Sequence, residues 1–354
     1  MLVTRQKVLR RFWYPVIPLS HVEDGPKPFT LLGERIVVWR DGEGRLSALE
    51  DRCCHRTAAL SRGYYEGGAL VCGYHGWTYD HGGKVLRIPQ LTRDVPEGAR
   101  VTSFPAQERY GYIWVCLDPS PLLEIPEIEE WDDPRFRRIQ QFYEVWRCAG
   151  LRLMENSFDN AHVNFVHRGT FGDPQDAGES RFEFFEEPWG FRTKTRFPVK
   201  QTELAARANR IEGAKTERLI DGSWWIPFVR RAHMTYPSGL VHVIVTAATP
   251  IDDAHSQIVQ FCLRSDREED VPAADAIAFD RRITEEDRYI LETTDPDVPL
   301  TETTRERNMA SDKLGVLMRK RLLALLREHG EDEVRSASSA PIENRRGNAP
   351  HERN

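Results

Sequence analysis

Short β-rich runs separated by turn residues fill roughly the first 120 positions. Arg35 to Arg40 is followed by the turn Asp41-Gly42-Glu43-Gly44 and then by Leu46 to Glu50. Further runs cover Ala69 to Tyr79, Lys84 to Ile88 and Tyr110 to Leu117, and His81-Gly82-Gly83 separates two of them. This alternation predicts a small antiparallel barrel or sandwich. From 118 to 150 the pattern lapses. Pro119, Pro121, Pro126 and Pro134 interrupt it and acidic residues crowd Glu124 to Asp133, so the stretch reads as a bridge with a domain boundary near 120. Arg152 to Val166 then carries a helical pattern. Strand-like segments follow at Arg181 to Val199, Arg231 to Ala248 and Ser256 to Leu263, and two helices close the chain, from about Ala274 to Thr293 and from about Thr303 to Glu328. Gly330 to Asn354 is polar and aperiodic and is expected to be disordered. The fold class expected is α+β: an all-β domain over 1–120, a sheet-and-helix domain over 121–329, and a tail over 330–354.

Composition narrows the function classes. The chain has 354 residues, a formal net charge of -6 and 40% hydrophobic residues, which fits two folded domains. The mild negative charge gives no argument for nucleic-acid binding. The apolar runs are far shorter than the ~18 residues of a membrane span. Arg10-Arg11 before Phe12 to Leu19 superficially resembles a twin-arginine export signal, but Pro15 and Pro18 interrupt the apolar stretch and no small-residue cleavage site follows. A cytoplasmic location is the default expectation. Six cysteines are too few for a disulfide framework.

Three of those cysteines fall close together with histidines. Cys53-x-His55 is followed sixteen residues later by Cys72, in Cys72-x-x-His75, counting from just after His55. Each half supplies one thiolate and one imidazole at a turn. A structural zinc site is one reading. A Rieske [2Fe–2S] cluster is the other, with two thiolates on one iron and two imidazoles on the second. Zinc fingers pair Cys with Cys and His with His, so the mixed halves favour the cluster. Cys54 adjoins Cys53 and is an alternative thiolate.

A second group lies in Glu155-Asn-Ser-Phe-Asp-Asn-Ala-His-Val-Asn-Phe-Val-His167. Asp159 and His162 are three apart and share a helical face. His162 and His167 are five apart, ~140° around an ideal helix. Either a π-bulge brings them together or His167 lies just past the helix end. Two imidazoles and one carboxylate form the facial triad of non-haem iron oxygenases. On the later helix, Phe279, Ile283, Asp287, Ile290 and Leu291 form one stripe, so Asp287 interrupts an apolar face while Glu285 and Glu286 point elsewhere. Asp287 is a candidate metal ligand, or a partly exposed partner of Arg282 or Arg288.

The motifs C-x-H-R and C-x-x-H-G-W, flanked by L-S-R-G and Y-D-H-G-G-K, resemble the Rieske domain of ring-hydroxylating oxygenases over about Phe12 to Asp118. Cys54 stands where many relatives carry proline. N-x-x-D-x-x-H-x4-H and E-D-R-x-x-x-E are similar to the catalytic domain of the α subunits in the vanillate and dicamba O-demethylase branch. The resemblance implies a helix-grip-like antiparallel sheet, cluster ligands Cys53, His55, Cys72 and His75, and Fe(II) ligands His162, His167 and Asp287. It also implies that Asp159 links His162 to the neighbouring subunit's His75 in a homotrimer. A separate reductase or ferredoxin would supply electrons, since no dinucleotide fingerprint is present; Arg52, Arg56 and Arg62 could receive an acidic donor. The expected reaction is O2-dependent oxidation of a small cyclic or aromatic substrate. Monooxygenation, as hydroxylation or O-/N-demethylation, is preferred, with cis-dihydroxylation and a Rieske electron carrier without catalytic iron as alternatives. Trp224, Trp225, Phe228 and Tyr236 could line the pocket, although aromatics are more often core.

Overall fold

Antiparallel pairing organises both halves of the computed structural model, which describes residues 1–176, 181–200, 203–210, 215–301 and 306–336. The first half contains β1 (Tyr14–Pro18), β2 (Lys27–Leu31), β3 (Glu34–Arg40), β4 (Leu46–Glu50), β5 (Tyr64–Glu66), β6 (Ala69–Val71), β7 (Thr78–Tyr79), β8 (Val85–Arg87), β9 (Ser103–Phe104), β10 (Ala106–Arg109) and β11 (Tyr112–Val115). These form three small sheets, ordered β1-β11-β10, β2-β3-β4-β9 and β5-β6-β7-β8.

The second half is built on one seven-stranded sheet. Its strands are β12 (Arg137–Trp146), β13 (Phe182–Glu187), β14 (Gly190–Lys200), β15 (Lys215–Trp225), β16 (Val229–Thr235), β17 (Val241–Pro250) and β18 (Ser256–Arg264), in the order β12-β18-β17-β16-β15-β14-β13. The helices are α1 (Gly150–Phe158), α2 (Val163–Val166), α3 (Glu203–Asn209), α4 (Ala273–Leu291) and α5 (Lys313–Glu328).

Strand alternation gives the large sheet two functional faces. Val229, Val243, Val245, Ala247, Val259, Phe261 and Leu263 pack against Tyr110, Tyr112 and Trp114 of the first half and Ile128 of the linker. Intervening residues, among them Ile220, Ala232, Met234, Ile244, Thr246 and Gln260, face the opposite way and line a cavity beside α1 and α4. The side of the sheet away from the cavity is thus fixed to the N-terminal domain by burial of apolar area. On the helical side, Leu151, Met154 and Phe158 of α1 share a core with Leu314, Met318, Leu322 and Leu326 of α5.

The expected elements differ from the structure at several places. The bridge ends early, because Arg137–Trp146 forms the ten-residue edge strand β12. The segments expected at 181–199 and 231–248 are each two strands, and Lys215–Trp225 was not expected as a strand. The last helix begins at Lys313 rather than near Thr303, a position that lies outside the described residues. The expected helix over 152–166 breaks at Asp159, which is extended (φ -89°, ψ 116°). Asp159 Oδ1 accepts the Ala161 N–H at 2.7 Å, and this local turn competes with helix continuation. The start of the expected tail is ordered. The Leu2 N–H donates to the Val334 carbonyl, Glu331 accepts the Lys7 and Val8 N–H groups, and Glu333 accepts that of Leu300. The rest of the tail, 337–354, lies outside the described residues.

Candidate active site

The two Cys/His loops have the same backbone design. The Cys53 N–H donates to the Ala58 carbonyl and the Thr57 N–H returns to the Cys53 carbonyl; Cys72 does the same with Trp77 and Gly76. Thr57 (φ +57°) and Gly76 (φ +72°) both occupy the left-handed region that closes such a turn. The loops face each other. Cys53 and Cys72 are both 2% exposed, and the rings of His55 and His75 lie 4.7 Å apart. Trp77 stacks on His55 at 4.7 Å. His55 Nδ1 is buried with no hydrogen-bond partner, and burial pushes the Cys72 thiol up. A buried imidazole nitrogen without a partner beside two inward thiols fits a metal cluster. Tyr79 Oη lies 3.0 Å from Cys53 Sγ and 3.4 Å from Cys54 Sγ, and accepts the Cys54 N–H. Cys54 is exposed, unlike Cys53.

The second group converges from α4 and the broken helix. His162 directly precedes α2 and His167 directly follows it, which realises the second of the two arrangements expected for this pair. His167 Nε2 lies 3.3 Å and His162 Nε2 3.5 Å from Asp287 Oδ1. These donor atoms all lie within 4.8 Å of one another. Metal–ligand bonds of ~2.1 Å at right angles put neighbouring donors ~3 Å apart, so the set could hold one metal ion. Burial would raise the Asp287 pKa, but hydrogen bonds and charge from the two imidazoles hold it well below the usual carboxylate range. Burial opposes charge on His162 too, yet Asp159 and Asp287 push it up to about 9. A carboxylate this strongly drawn to positive charge suits a cation ligand.

Carboxylates also stand behind the imidazoles. His162 Nδ1 faces Asp159 Oδ2 at 3.6 Å, and His167 Nδ1 lies 2.9 Å from Glu286 Oε2. Thr170 Oγ1 donates to the same Glu286 oxygen at 2.9 Å, and Asn156 Nδ2 donates to Asp287 Oδ1 at 3.3 Å. Such contacts fix the ring orientation of a ligand and raise its basicity. Glu286 therefore does not point away from the site, as its stripe position suggested. The paired-ion alternative for Asp287 is not formed: Arg282 donates to the Gly169 carbonyl, and Arg288 engages Glu292 and Glu144.

Beside the three donors is a cavity of about 160 Å³. Of the four aromatics considered, Tyr236 alone lines it. Trp224 and Phe228 are core, with Trp224 Nε1 donating to the Pro227 carbonyl, and Trp225 stacks on Trp189 in a cleft by the linker.

Comparison with known proteins matches both halves. Residues 12–105 match the Rieske [2Fe-2S] domain, and residues 146–328 match the vanillate O-demethylase oxygenase C-terminal domain. The chain belongs to the Rieske non-haem iron oxygenases. It is a terminal oxygenase α subunit of the vanillate/dicamba O-demethylase type, a family that combines a Rieske cluster with a catalytic mononuclear iron. The oxygenase is 31% identical over 349 residues to methylxanthine N1-demethylase NdmA of Pseudomonas putida, covering 95% of each chain. It is 30% identical over 333 residues to methylxanthine N3-demethylase NdmB of the same organism, covering 88% of each. The solved structure of NdmA with caffeine superposes with a TM-score of 0.79 at 28% identity, covering 92% of this chain and 94% of that one. A dicamba monooxygenase structure shares the fold, with a TM-score of 0.79 at 22% identity over 92% and 99% of the two chains. Among the described residues of this oxygenase, no helix is long and apolar enough to cross a membrane. Thr170 carried no sequence signal of its own; Asn156, Glu286 and Tyr79 stand in the motifs N-x-x-D-x-x-H-x4-H, E-D-R-x-x-x-E and Y-D-H-G-G-K, but the sequence assigned none of them a role.

Proposed function

We propose that this chain is an oxidative demethylase or hydroxylase of a small ring compound, with Cys53, His55, Cys72 and His75 holding the cluster and His162, His167 and Asp287 holding the iron. The observation that carries the reading is the convergence of both Nε2 atoms on Asp287 Oδ1 at the wall of a cavity. When bound, the iron supplies O2 activation and the cluster supplies electrons. The chain's own residues do the rest. Asp159 and Glu286, behind the two imidazoles, hold their orientation, and the apolar walls Ile220, Ile244 and Ile283 exclude water. For a methyl ether the balance is R–OCH3 + O2 + 2e⁻ + 2H⁺ → R–OH + HCHO + H2O. The electrons come from a separate reductase or ferredoxin. The exposed Arg52, Arg56 and Arg62 around the first cluster loop support docking of an acidic donor.

Asp159 is assigned the link between His162 and the neighbouring subunit's His75 in a homotrimer. In support, its side chain keeps 29% of its surface exposed while facing His162. It shares an open groove with Val166 and Ile290, and Phe165, Tyr289 and Ile290 are exposed large hydrophobics. Tyr74, directly before His75, is another. Apolar surfaces of this kind are characteristic of subunit contacts.

The test is iron, zinc and acid-labile sulfide per chain on anaerobically purified protein, with Asp287→Ala alongside, followed by O2-dependent formaldehyde release with a reductase. About three irons and two sulfides, falling to about two irons in the variant, support the assignment. Zinc without sulfide, or an unchanged iron content in the variant, overturns it.

A further inference from the structure

A second group of metal-type donors lies on the same face of α4 as Asp287, two turns earlier. His242 of β17, Cys262 of β18 and Asp280 of α4 each bring one donor atom within 4.8 Å of the other two. Asp280 precedes Asp287 by two helical turns, ~10 Å along the axis, so this group is distinct from the His162, His167 and Asp287 set. Strand pairing assembles it. Cys262 stands opposite Ile244, and His242 is two residues from Ile244, so both side chains leave the sheet on its cavity face, beside α4.

The three residues are 1%, 0% and 3% exposed. His242 Nε2 faces Asp280 Oδ2 at 3.3 Å, yet this nitrogen is buried without a hydrogen-bond partner. Orphaned polar atoms of this kind are rare in protein interiors. The separation is that of two donors around one cation: ligand atoms ~2.1 Å from a tetrahedral metal stand ~3.4 Å apart.

Asp280 is a buried carboxylate with no close cationic side chain of arginine or lysine. Among the described residues, no such nitrogen pairs with it within 4 Å. Its charge reaches Arg264 and Arg230, but Arg264 pairs with Asp266 and Arg230 donates to Thr246. Buried charges are paired or coordinate a metal. Gln141 Nε2 donates to Asp280 Oδ2 at 2.5 Å, and Gln141 Oε1 accepts from Gln260 Nε2 at 3.0 Å. These amides orient the carboxylate as contacts behind a metal ligand do. Cys262 sits in an apolar shell of Ile139, Val271 and Ala276. Burial, and then the charge of Asp280, push its thiol up, so it is neutral until a cation displaces its proton.

The donor set selects the cation. One thiolate and one carboxylate neutralise a divalent ion, which removes the main obstacle to burying it. A thiolate favours zinc and similar soft ions over magnesium and calcium, which take oxygen ligands. Three protein donors leave a fourth tetrahedral position, and because His242 and Asp280 line the cavity, that position opens toward it.

We infer that His242, Cys262 and Asp280 form a second metal site, for a thiophilic divalent cation of the zinc class, separate from the iron donors. Binding is balanced by release of the thiol proton: imidazole, R–SH and R–COO⁻ with Zn²⁺ give the zinc complex and H⁺. The inference does not depend on the oxygenase reading.

The probe is zinc itself. The anaerobic holoprotein, with cluster and iron in place, is dialysed against increasing Zn²⁺. Zinc, iron and sulfide per chain are counted, and zinc K-edge absorption reads the ligands. About one zinc is expected per chain with iron and sulfide unchanged, and with one sulfur at ~2.3 Å beside nitrogen and oxygen at ~2.0–2.2 Å. Cys262→Ser and Asp280→Asn should each weaken uptake at least ~10-fold, and Cys262→Ser should also remove the sulfur. Cys54→Ser and Asp287→Ala should keep both the zinc and its sulfur.

Zinc gained as iron is lost would place it in the His162, His167 and Asp287 set and overturn the inference. Zinc without a sulfur neighbour, uptake untouched by Cys262→Ser and Asp280→Asn, or no uptake up to roughly 100 µM would overturn it too. Should Cys262→Ser fail to fold with full iron and sulfide, the sulfur shell of the wild type and of Cys54→Ser, together with Asp280→Asn, decides. Zinc that arrives with sulfide retained is distinct from the zinc-only result that overturns the cluster, so the two readings fail separately.

Discussion

Glu286 holds His167 from behind: its Oε2 lies 2.9 Å from Nδ1, while Nε2 of the same ring faces Asp287 at 3.3 Å. Two consecutive carboxylates on α4 thus address opposite edges of one imidazole. Glu286→Gln keeps the size of the side chain and removes its charge. It is expected to weaken iron binding about 10- to 100-fold with the cluster unaffected. Competition with a chelator, with sulfide content as the internal control, measures this; equal iron retention in variant and wild type counts against the positioning role.

With Asp159 in the proposed link, Asp159→Asn is expected to separate electron delivery from metal binding. The variant is expected to keep both metal centres, because Asp159 lies on the Nδ1 side of His162, away from Asp287. Product formation should fall at least ~100-fold while the reductase still reduces the cluster. Optical and paramagnetic spectra of the reduced protein together with formaldehyde yield read the two steps apart. Full turnover would remove Asp159 from the route.

Tyr79 is expected to tune the cluster. Its hydroxyl lies 3.0 Å from Cys53 Sγ, and a hydrogen bond to a cluster sulfur favours the reduced, more negative state. A differential hydrogen-bond energy of ~1 kcal/mol corresponds to ~40 mV for one electron. Tyr79→Phe should therefore lower the reduction potential by about that amount, measurable by voltammetry. An unchanged potential would mean that the hydroxyl serves only the Cys54 N–H.

Glu130 fastens the linker to the large sheet through Arg231 and His233. Burial raises its pKa, but His233 and Arg231 override this and bring it to about 2, from 4.5. A folded-state pKa below the unfolded one stabilises the fold above about pH 4.5, and that contribution is lost as pH falls toward 2. Glu130→Gln is expected to cost about 2 kcal/mol at pH 7, less than for a fully buried pair because Arg231 and His233 stay partly exposed. Thermal melts of both proteins from pH 7 to pH 3 should converge as the acid limb is reached. A constant gap would show that the contact is not electrostatic.

The grouping of Cys53, His55, Cys72 and His75, and that of His162, His167 and Asp287, was legible in the sequence because each set is confined to a few local segments with fixed spacing. Cys53-x-His55 and Cys72-x-x-His75 each sit inside one turn, and the hydrogen bonds that close those turns run between residues four and five apart. Asp287 was legible as a polar interruption of an apolar stripe. That stripe argument failed for Ile290, which is exposed, and for Glu286, which reaches back to His167. Helical periodicity gives the direction in which a side chain leaves the axis, and a glutamate has enough length to bend away from it.

What the sequence by itself determined is the local chemistry: two metal-binding motifs, an all-β first half, and the amphipathic helices that carry Asp287 and close the core. Only the tertiary structure decided which residues from distant strands share the cavity. Arg218, Arg230, His242 and Gln260 come from four different strands of the large sheet. Their meeting depends on the strand order and register that pair Arg230 with Thr246 and Thr246 with Gln260. A one-residue slip would turn each of them to the opposite face. Register is fixed by burial of both sheet faces at once, which is a property of the packed molecule and of no single segment.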